Sequence, residues 1–204
     1  MYMNARMMQA APGKAMDLLE AALNITQQIK DKLGVEYRVG TQVGGNPDIV
    51  GANAVWETLG GYQAFREALM ADESISGALG DVGSLILSIE DQLVRVLAGP
   101  GEPAGFSALN RARIQLPRIA EAIPFGLEVC EFVEAKVGLK TGFLTAVTGD
   151  RSGVAWFSRY SSLDELASTN ETLEADPEYL DLFKRSGDLY VDGSLESSIW
   201  QAHN

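Results

Sequence analysis

Two stretches decide the fold, Val50-Gly51-Ala52-Asn53-Ala54-Val55-Trp56-Glu57-Thr58-Leu59 and Val154-Ala155-Trp156-Phe157-Ser158-Arg159-Tyr160-Ser161-Ser162-Leu163. Each is a strand-like apolar run that ends at an aromatic residue, and each then reaches a hydroxyl residue followed by leucine. They lie 104 positions apart, and the same offset aligns Gly34–Leu97 with Gly138–Gln201 without a gap. Twelve residue pairs in this window are identical, and the apolar pattern and turns coincide as well. The chain is therefore predicted to be a tandem duplication.

Both halves have the same predicted order of elements, βαββαβ. In the first half the pattern predicts strands at Met3–Gln9, Val35–Val43, Ile49–Trp56 and Gln92–Leu97, with helices over 12–33 and Leu59–Leu79. In the second half it predicts strands at Ala112–Leu116, Lys140–Val147, Val154–Tyr160 and Ser197–Gln201, with helices over Ile119–Ala135 and Leu163–Phe183. The predicted class is α+β, with two ferredoxin-like repeats whose sheets face each other.

The domain organisation follows from the repeat and from one stretch of linker composition. Glycine and proline are dense between the last strand of the first half and the first strand of the second. We expect residues 1–97 to form the first repeat, 98–107 a linker and 108–204 the second repeat.

Composition and charge exclude several classes of function. The net charge is −12, with 28 acidic and 16 basic residues, which disfavours a nucleic-acid partner. The only cysteine, Cys130, lies in an apolar run and is predicted to be a buried, inert thiol rather than a nucleophile. No apolar run is long enough to cross a bilayer and the N-terminus does not resemble a signal peptide, so no membrane partner and a cytoplasmic location are expected.

The junctions between strand and helix resemble a known superfamily. The stretches 56–62 and 160–166 resemble the aromatic-x-Ser/Thr-Leu signature of the dimeric α/β-barrel proteins, and 174–179 is similar to the same families. These include antibiotic-biosynthesis monooxygenases, stress-responsive barrel proteins and NIPSNAP-like proteins. The resemblance implies that the two ferredoxin-like repeats form an intramolecular dimeric α/β barrel, but it mostly describes the fold and is weak evidence for activity.

The position of the single histidine narrows the activities that the resemblance allows. Many catalytic relatives carry a histidine in or near the barrel cavity, whereas here the only one is His203, second from the end and expected to be solvated. This argues against a haem degrader and against histidine-based acid–base catalysis. No metal site and no cofactor are predicted.

Polar residues on the strands supply the candidate ligand-binding residues. Period-two alternation groups Asn4 with Arg6 and sets Arg38, Arg95 and Arg113 between apolar neighbours. If the apolar alternation packs on the helices, these arginines line the space between the sheets and, with Asn4 and Asn53, orient an anionic or carbonyl group of a ligand. Alternatively, the arginines lie at strand ends or pair with carboxylates such as Glu36, Glu57 and Glu196.

Aromatic residues on the same strands could complete a pocket. Trp56, Trp156 and Tyr160 are either core residues or the flat walls of a site for an aromatic ligand. The predicted function is thus binding of a small polar or aromatic metabolite. If the chain is an enzyme, the resemblance implies a cofactor-independent monooxygenase or a cyclase-like activity. The alternative is a non-catalytic stress-responsive or assembly protein with a packed barrel. The expected state is a monomer that mimics a dimer, or a homodimer.

Overall fold

The computed structural model describes residues 1–204. The first half contains strands β1 (Tyr2–Ala10), β2 (Arg38–Val43), β3 (Ile49–Trp56) and β4 (Ile86–Ala98), with helices α1 (Ala15–Leu33), α2 (Leu59–Ala71) and α3 (Glu73–Asp81). The second half contains strands β5 (Phe106–Arg113), β6 (Thr141–Ala146), β7 (Gly153–Tyr160) and β8 (Glu196–Ala202), with helices α4 (Ile119–Val137), α5 (Leu163–Glu174) and α6 (Pro177–Ser186). Short 3₁₀ turns, Val82–Leu85 and Leu116–Arg118, precede β4 and α4.

The eight strands form one closed barrel in the order β1-β3-β2-β8-β5-β7-β6-β4. Within it, each half has the ferredoxin-like order, β4-β1-β3-β2 in the first and β8-β5-β7-β6 in the second. The predicted fold class is therefore confirmed. The chain divides into two compact units, unit 1 with residues 1–94 and 201–204, and unit 2 with residues 95–200.

The strand registers of the two halves are identical under the 104-residue offset. In unit 1, Tyr2 pairs with Trp56 and Val39 pairs with Ala52. Adding 104 to each number gives the pairs Phe106–Tyr160 and Phe143–Trp156, which are those observed in unit 2. Positions 104 apart therefore occupy equivalent places in their own sheets, and any difference between them is a difference of side chain.

The long helix of each half ends at a glycine for a conformational reason. Gly34 follows α1 with φ 68° and Gly138 follows α4 with φ 71°, a left-handed conformation that costs other residues energy. Helix α1 buries Leu18, Leu19, Ala22, Ile25 and Ile29 at helical spacing, so one face packs on the sheet of unit 1. None of the chain's helices combines the length and the apolar character needed to cross a bilayer.

The structure corrects the sequence prediction at four elements. The helices predicted over Leu59–Leu79 and Leu163–Phe183 are each two helices, because Asp72 and Asp176 adopt extended conformations and cap a new helix. The last strand of the first half begins at Ile86 rather than at Gln92. The strand predicted at Ala112–Leu116 is β5, Phe106–Arg113, and Leu116 lies in a 3₁₀ turn.

Candidate functional site

A cavity of about 470 Å³ lies in unit 2, between the sheet and helices α4, α5 and α6. The segment 187–195, which joins α6 to β8, also lines it. Its floor is formed by side chains from three strands: Ala108 and Asn110 of β5, Thr141 of β6, and Trp156, Ser158 and Tyr160 of β7. The volume lies within the range of small-molecule sites in proteins.

The pairing of the strands explains why these residues meet on one face. Ser158 pairs with Ala108 on one side and with Thr141 on the other, and side chains of paired residues project from the same face. These three side chains are small and lie side by side under the helices, so the sheet fills little of the space above it.

Three hydroxyl groups lie together on this floor. The Thr141 and Ser158 oxygens are 2.9 Å apart and both residues are buried, and the Tyr160 side chain lies beside Ser158 in the lining of the cavity. Burial raises the pKa of Tyr160, although the Ser158 hydroxyl acts in the opposite direction. The phenol therefore stays protonated at neutral pH and can donate a hydrogen bond.

One wall of the cavity is a pair of aromatic rings held in fixed positions. The Trp156 indole donates to the carbonyl of Gly126 at 3.0 Å, and the Tyr190 hydroxyl donates to the carbonyl of Ala122 at 3.2 Å. The two rings meet edge to face, with centroids 5.5 Å apart. Because both polar atoms are satisfied by helix α4, the wall is preformed.

Hydrogen bonds also fix the opposite end of the cavity. Ser197 donates to the Asn110 side-chain oxygen at 2.6 Å. The segment 187–195 is tied to the end of β5, since the Val191 amide donates to the Arg113 carbonyl at 2.7 Å and the Arg113 amide donates to the Ser194 hydroxyl at 3.0 Å.

The charged side chains that line the cavity are both acidic. No lysine, arginine or histidine lines it, and the two carboxylates that do, Glu174 and Asp192, belong to exposed residues. Burial raises the pKa of Tyr179, and the Glu174 carboxylate adds to that effect. A ligand therefore meets neutral donors inside and negative charge outside, which disfavours an anion.

In unit 1 the equivalent positions carry larger side chains that bond to one another. Tyr37 stands at the position of Thr141, Trp56 at that of Tyr160 and Asn4 at that of Ala108. The Asn4 side-chain oxygen accepts from the Trp56 indole at 2.8 Å, and the Asn4 amide donates to the Tyr37 hydroxyl at 3.1 Å. Nearby, Arg6 forms two 2.7 Å hydrogen bonds with the carboxylate of Asp91.

The predicted ligand-binding residues do not form one cluster. Arg6 pairs with Ala52, on the face that packs on the helices of unit 1, whereas Arg38 pairs with Asn53 on the opposite face. The grouping of Asn4 and Arg6 with Arg38 is therefore wrong. Strand parity cannot tell which face meets the helices, and Asn4 and Arg6 are accommodated there by partners distant in sequence.

The other predicted residues are distributed over the two units. Arg38 donates to the main-chain oxygen of Asn204 at 2.6 Å. Arg95 and Arg113 are exposed. Trp156 and Tyr160 lie together in the lining of the cavity. A role in ligand binding stays a prediction for all of them. His203, expected to be solvated, is exposed but lies 2.8 Å from the Thr41 hydroxyl.

The sequence analysis missed the small residues that form the floor. Ala108, Thr141 and Ser158 have no chemical signature of their own, but two of them are much smaller than their counterparts Asn4 and Tyr37. A comparison of side-chain volume across the repeat would have identified them. No group of three or more histidine, cysteine, aspartate and glutamate residues is placed to hold a metal ion.

Comparison with known proteins identifies the fold. No family model matches the chain, and no match was found among curated proteins. A protein provisionally named a monooxygenase, from Fusobacterium nucleatum subsp. nucleatum ATCC 25586, has a TM-score of 0.73 at 10% identity, over 100% of this chain and 92% of its own. A similarly named protein from Lactobacillus acidophilus NCFM has a TM-score of 0.71 at 9% identity, over 100% and 94%. The chain has the dimeric α/β-barrel fold.

A third similar structure is that of an anthrone oxidase-like protein, with a TM-score of 0.69 at 15% identity over 100% of this chain and 91% of its own. The resemblance drawn from the motifs is thus confirmed at the level of the fold. At these identities the likeness gives no activity, because one fold hosts many reactions.

Proposed function

We propose that unit 2 binds a small, uncharged aromatic molecule in its cavity. The observation that carries the proposal is the cavity itself, with aromatic and aliphatic walls and a narrow strip of neutral hydrogen-bonding groups on its floor. Apolar walls supply affinity through burial, and a few polar groups set the orientation of the ligand. The absence of a cationic side chain from the lining argues for a neutral ligand rather than an anion, which was one of the two kinds of ligand group that the sequence suggested.

Binding ranks ahead of catalysis because the cavity offers no evident base. The phenols of Tyr160, Tyr179 and Tyr190 have raised pKa values, so at neutral pH they donate protons to hydrogen bonds and do not abstract them. The carboxylates of Glu174 and Asp192 belong to exposed residues.

Cofactor-independent oxygenation is the second candidate function. It is favoured by the likeness over the whole chain to an anthrone oxidase-like protein. The corresponding reaction would convert the methylene group of an anthrone to a carbonyl, with one O₂ consumed and one water released.

The test of binding uses titration with 2-acetylnaphthalene, followed by tryptophan fluorescence and thermal unfolding. We expect saturable quenching and a rise in the unfolding midpoint, because a ligand that binds only the folded state stabilises it. Thr141→Tyr places on the floor the residue found at the equivalent position of unit 1, and should weaken binding at least about 10-fold.

Thr172→Tyr is the matched control. It makes the same chemical change at an exposed position of α5 that does not line the cavity, and should leave binding unchanged. Equal binding by the wild type and Thr141→Tyr would overturn this location for the site. Absence of any binding would favour a non-catalytic protein with a packed core. Oxygen uptake with anthrone, compared in the same variants, separates the second candidate from simple binding.

A further inference from the structure

We infer that the polar anchor of the ligand is a carbonyl oxygen, of an aromatic ketone or carboxamide, seated above Ala108 where unit 1 carries the amide of its own Asn4. This inference rests on the proposed function. It comes from comparing equivalent positions of the two sheets, which are filled by side chains in unit 1 and border a cavity in unit 2.

In unit 1 the place is filled by the protein. The Asn4 oxygen accepts a hydrogen bond from the Trp56 indole at 2.8 Å and lies 3.3 Å from the Tyr37 hydroxyl. The Asn4 carboxamide therefore lies between the indole N–H and a phenol hydroxyl, which also accepts a 3.1 Å hydrogen bond from the Asn4 amide nitrogen. Burial raises the pKa of Tyr37 to about 12, so its proton remains available for this contact at neutral pH.

In unit 2 the donors are kept and the acceptor is missing. Tyr160 replaces Trp56 and Thr141 replaces Tyr37, so each position still carries an N–H or O–H group. The position of Asn4 is taken by Ala108, which has no polar side-chain atom, and all three residues line the cavity.

The floor of unit 2 carries more hydroxyl protons than the hydrogen bonds between its hydroxyl groups use. Thr141, Ser158 and Tyr160 bring three O–H groups, and the Thr141–Ser158 hydrogen bond uses one of their protons. The Tyr160 side chain lines the cavity, where its hydroxyl can donate a hydrogen bond to an acceptor on the ligand. A carbonyl oxygen supplies an acceptor without adding a donor, whereas a carboxylate would bring a charge into a site without a cationic side chain.

The test compares two probes of nearly the same shape, 2-acetylnaphthalene and 2-ethylnaphthalene, by calorimetry. The wild type should bind the ketone about 10-fold more tightly, the effect of one buried hydrogen bond. Tyr160→Phe removes the hydroxyl and should abolish this preference while leaving the affinity for the hydrocarbon unchanged. If the variant keeps a 10-fold preference for the ketone, the hydroxyl of Tyr160 does not bind the carbonyl oxygen.

Ala108→Asn restores the residue of unit 1, and Ala108→Leu adds a side chain of similar size without an acceptor. Both variants should exclude the probes. The midpoint of thermal unfolding should be higher for Ala108→Asn than for Ala108→Leu. Equal binding of the two probes by the wild type would overturn the carbonyl anchor and leave the cavity as a binding site. Binding of neither probe would overturn the proposed function as well.

Discussion

At position 126, in the middle of helix α4, a glycine lies directly against the ring of Phe143. A methyl group at this position would overlap the ring atoms. In unit 1 the equivalent residues are Ala22 and Val39, a larger helix residue opposite a smaller strand residue, and both are buried. The same helix–sheet contact is thus filled by a small helix residue and a large strand residue in unit 2, and by a larger helix residue and a smaller strand residue in unit 1.

Gly126→Ala should destabilise the protein despite the better helix propensity of alanine. The gain in propensity is about 1 kcal/mol, whereas overpacking against a fully buried ring costs about 1–3 kcal/mol, so a net loss of up to about 2 kcal/mol is expected. Urea unfolding measures the effect.

The double variant Gly126→Ala/Phe143→Val recreates the pair of unit 1 and serves as the control. It should be less destabilised than the sum of the two single variants, because the valine makes room for the methyl group. Strict additivity would show that the contact between residues 126 and 143 does not limit the volume at this site.

Ionisation of Tyr37 should lower the stability of the protein at alkaline pH. Burial raises its pKa from 10.0 to about 12, so its contribution is complete below pH 10 and is lost as the pH rises towards 12. Over this pH range, the free energy of unfolding of Tyr37→Phe should therefore fall by about 2–3 kcal/mol less than that of the wild type. Urea unfolding at a series of pH values, with phenolate absorbance as the direct readout, checks this. Titration of the Tyr37 phenol near pH 10 would contradict this prediction.

At the scale of the elements, the same ion pair recurs in both halves. Asp72 caps α3 by accepting from the amides of Ser74 and Ile75, and Lys32 of α1 lies 3.0 Å from its carboxylate. In unit 2, Asp176 caps α6 and Lys136 of α4 lies 2.8 Å from it. Each aspartate therefore starts one helix and binds it to another, which explains why the predicted single helix breaks there.

Asp72→Ala and Asp176→Ala should lower the thermal midpoint by similar amounts of several degrees at pH 7. Amide hydrogen bonds and the lysine lower the pKa of both carboxyls, so the contribution is present above pH 3.8 and is lost as the pH falls through the lowered pKa. The loss should thus become smaller as the pH falls below 3.8. Lys32→Met, which removes only the ion pair, should cost less than the cap. An equal cost would show that the cap contributes nothing.

The elements were largely predictable because apolar periodicity and turn residues are local signals. Strand β3 and the start of the helix after it were predicted at their observed positions. Strand β5 was misplaced, although adding 104 to Met3–Gln9 gives 107–113, inside the observed strand. The helix breaks at Asp72 and Asp176 were missed, since each aspartate lies inside a predicted helix.

At the scale of the whole molecule, duplication has produced two units with one register and different interiors. Unit 1 fills the space beneath its helices with Asn4, Tyr37 and Trp56, and unit 2 has a cavity at the equivalent place. The aromatic lining residues Trp156 and Tyr160 were predictable as strand residues with a large ring. The cavity was not, because it depends on small residues from three strands meeting in one register.

The central claim is that the cavity of unit 2 is a ligand site, and a crystal structure of the protein grown with 2-acetylnaphthalene tests it most directly. We predict one molecule per chain with its ring beside Trp156 and its carbonyl oxygen about 2.6–3.0 Å from the hydroxyl of Tyr160 or Thr141. Ordered ligand beside Arg38 and Asn53, with none above Ala108, would contradict the account.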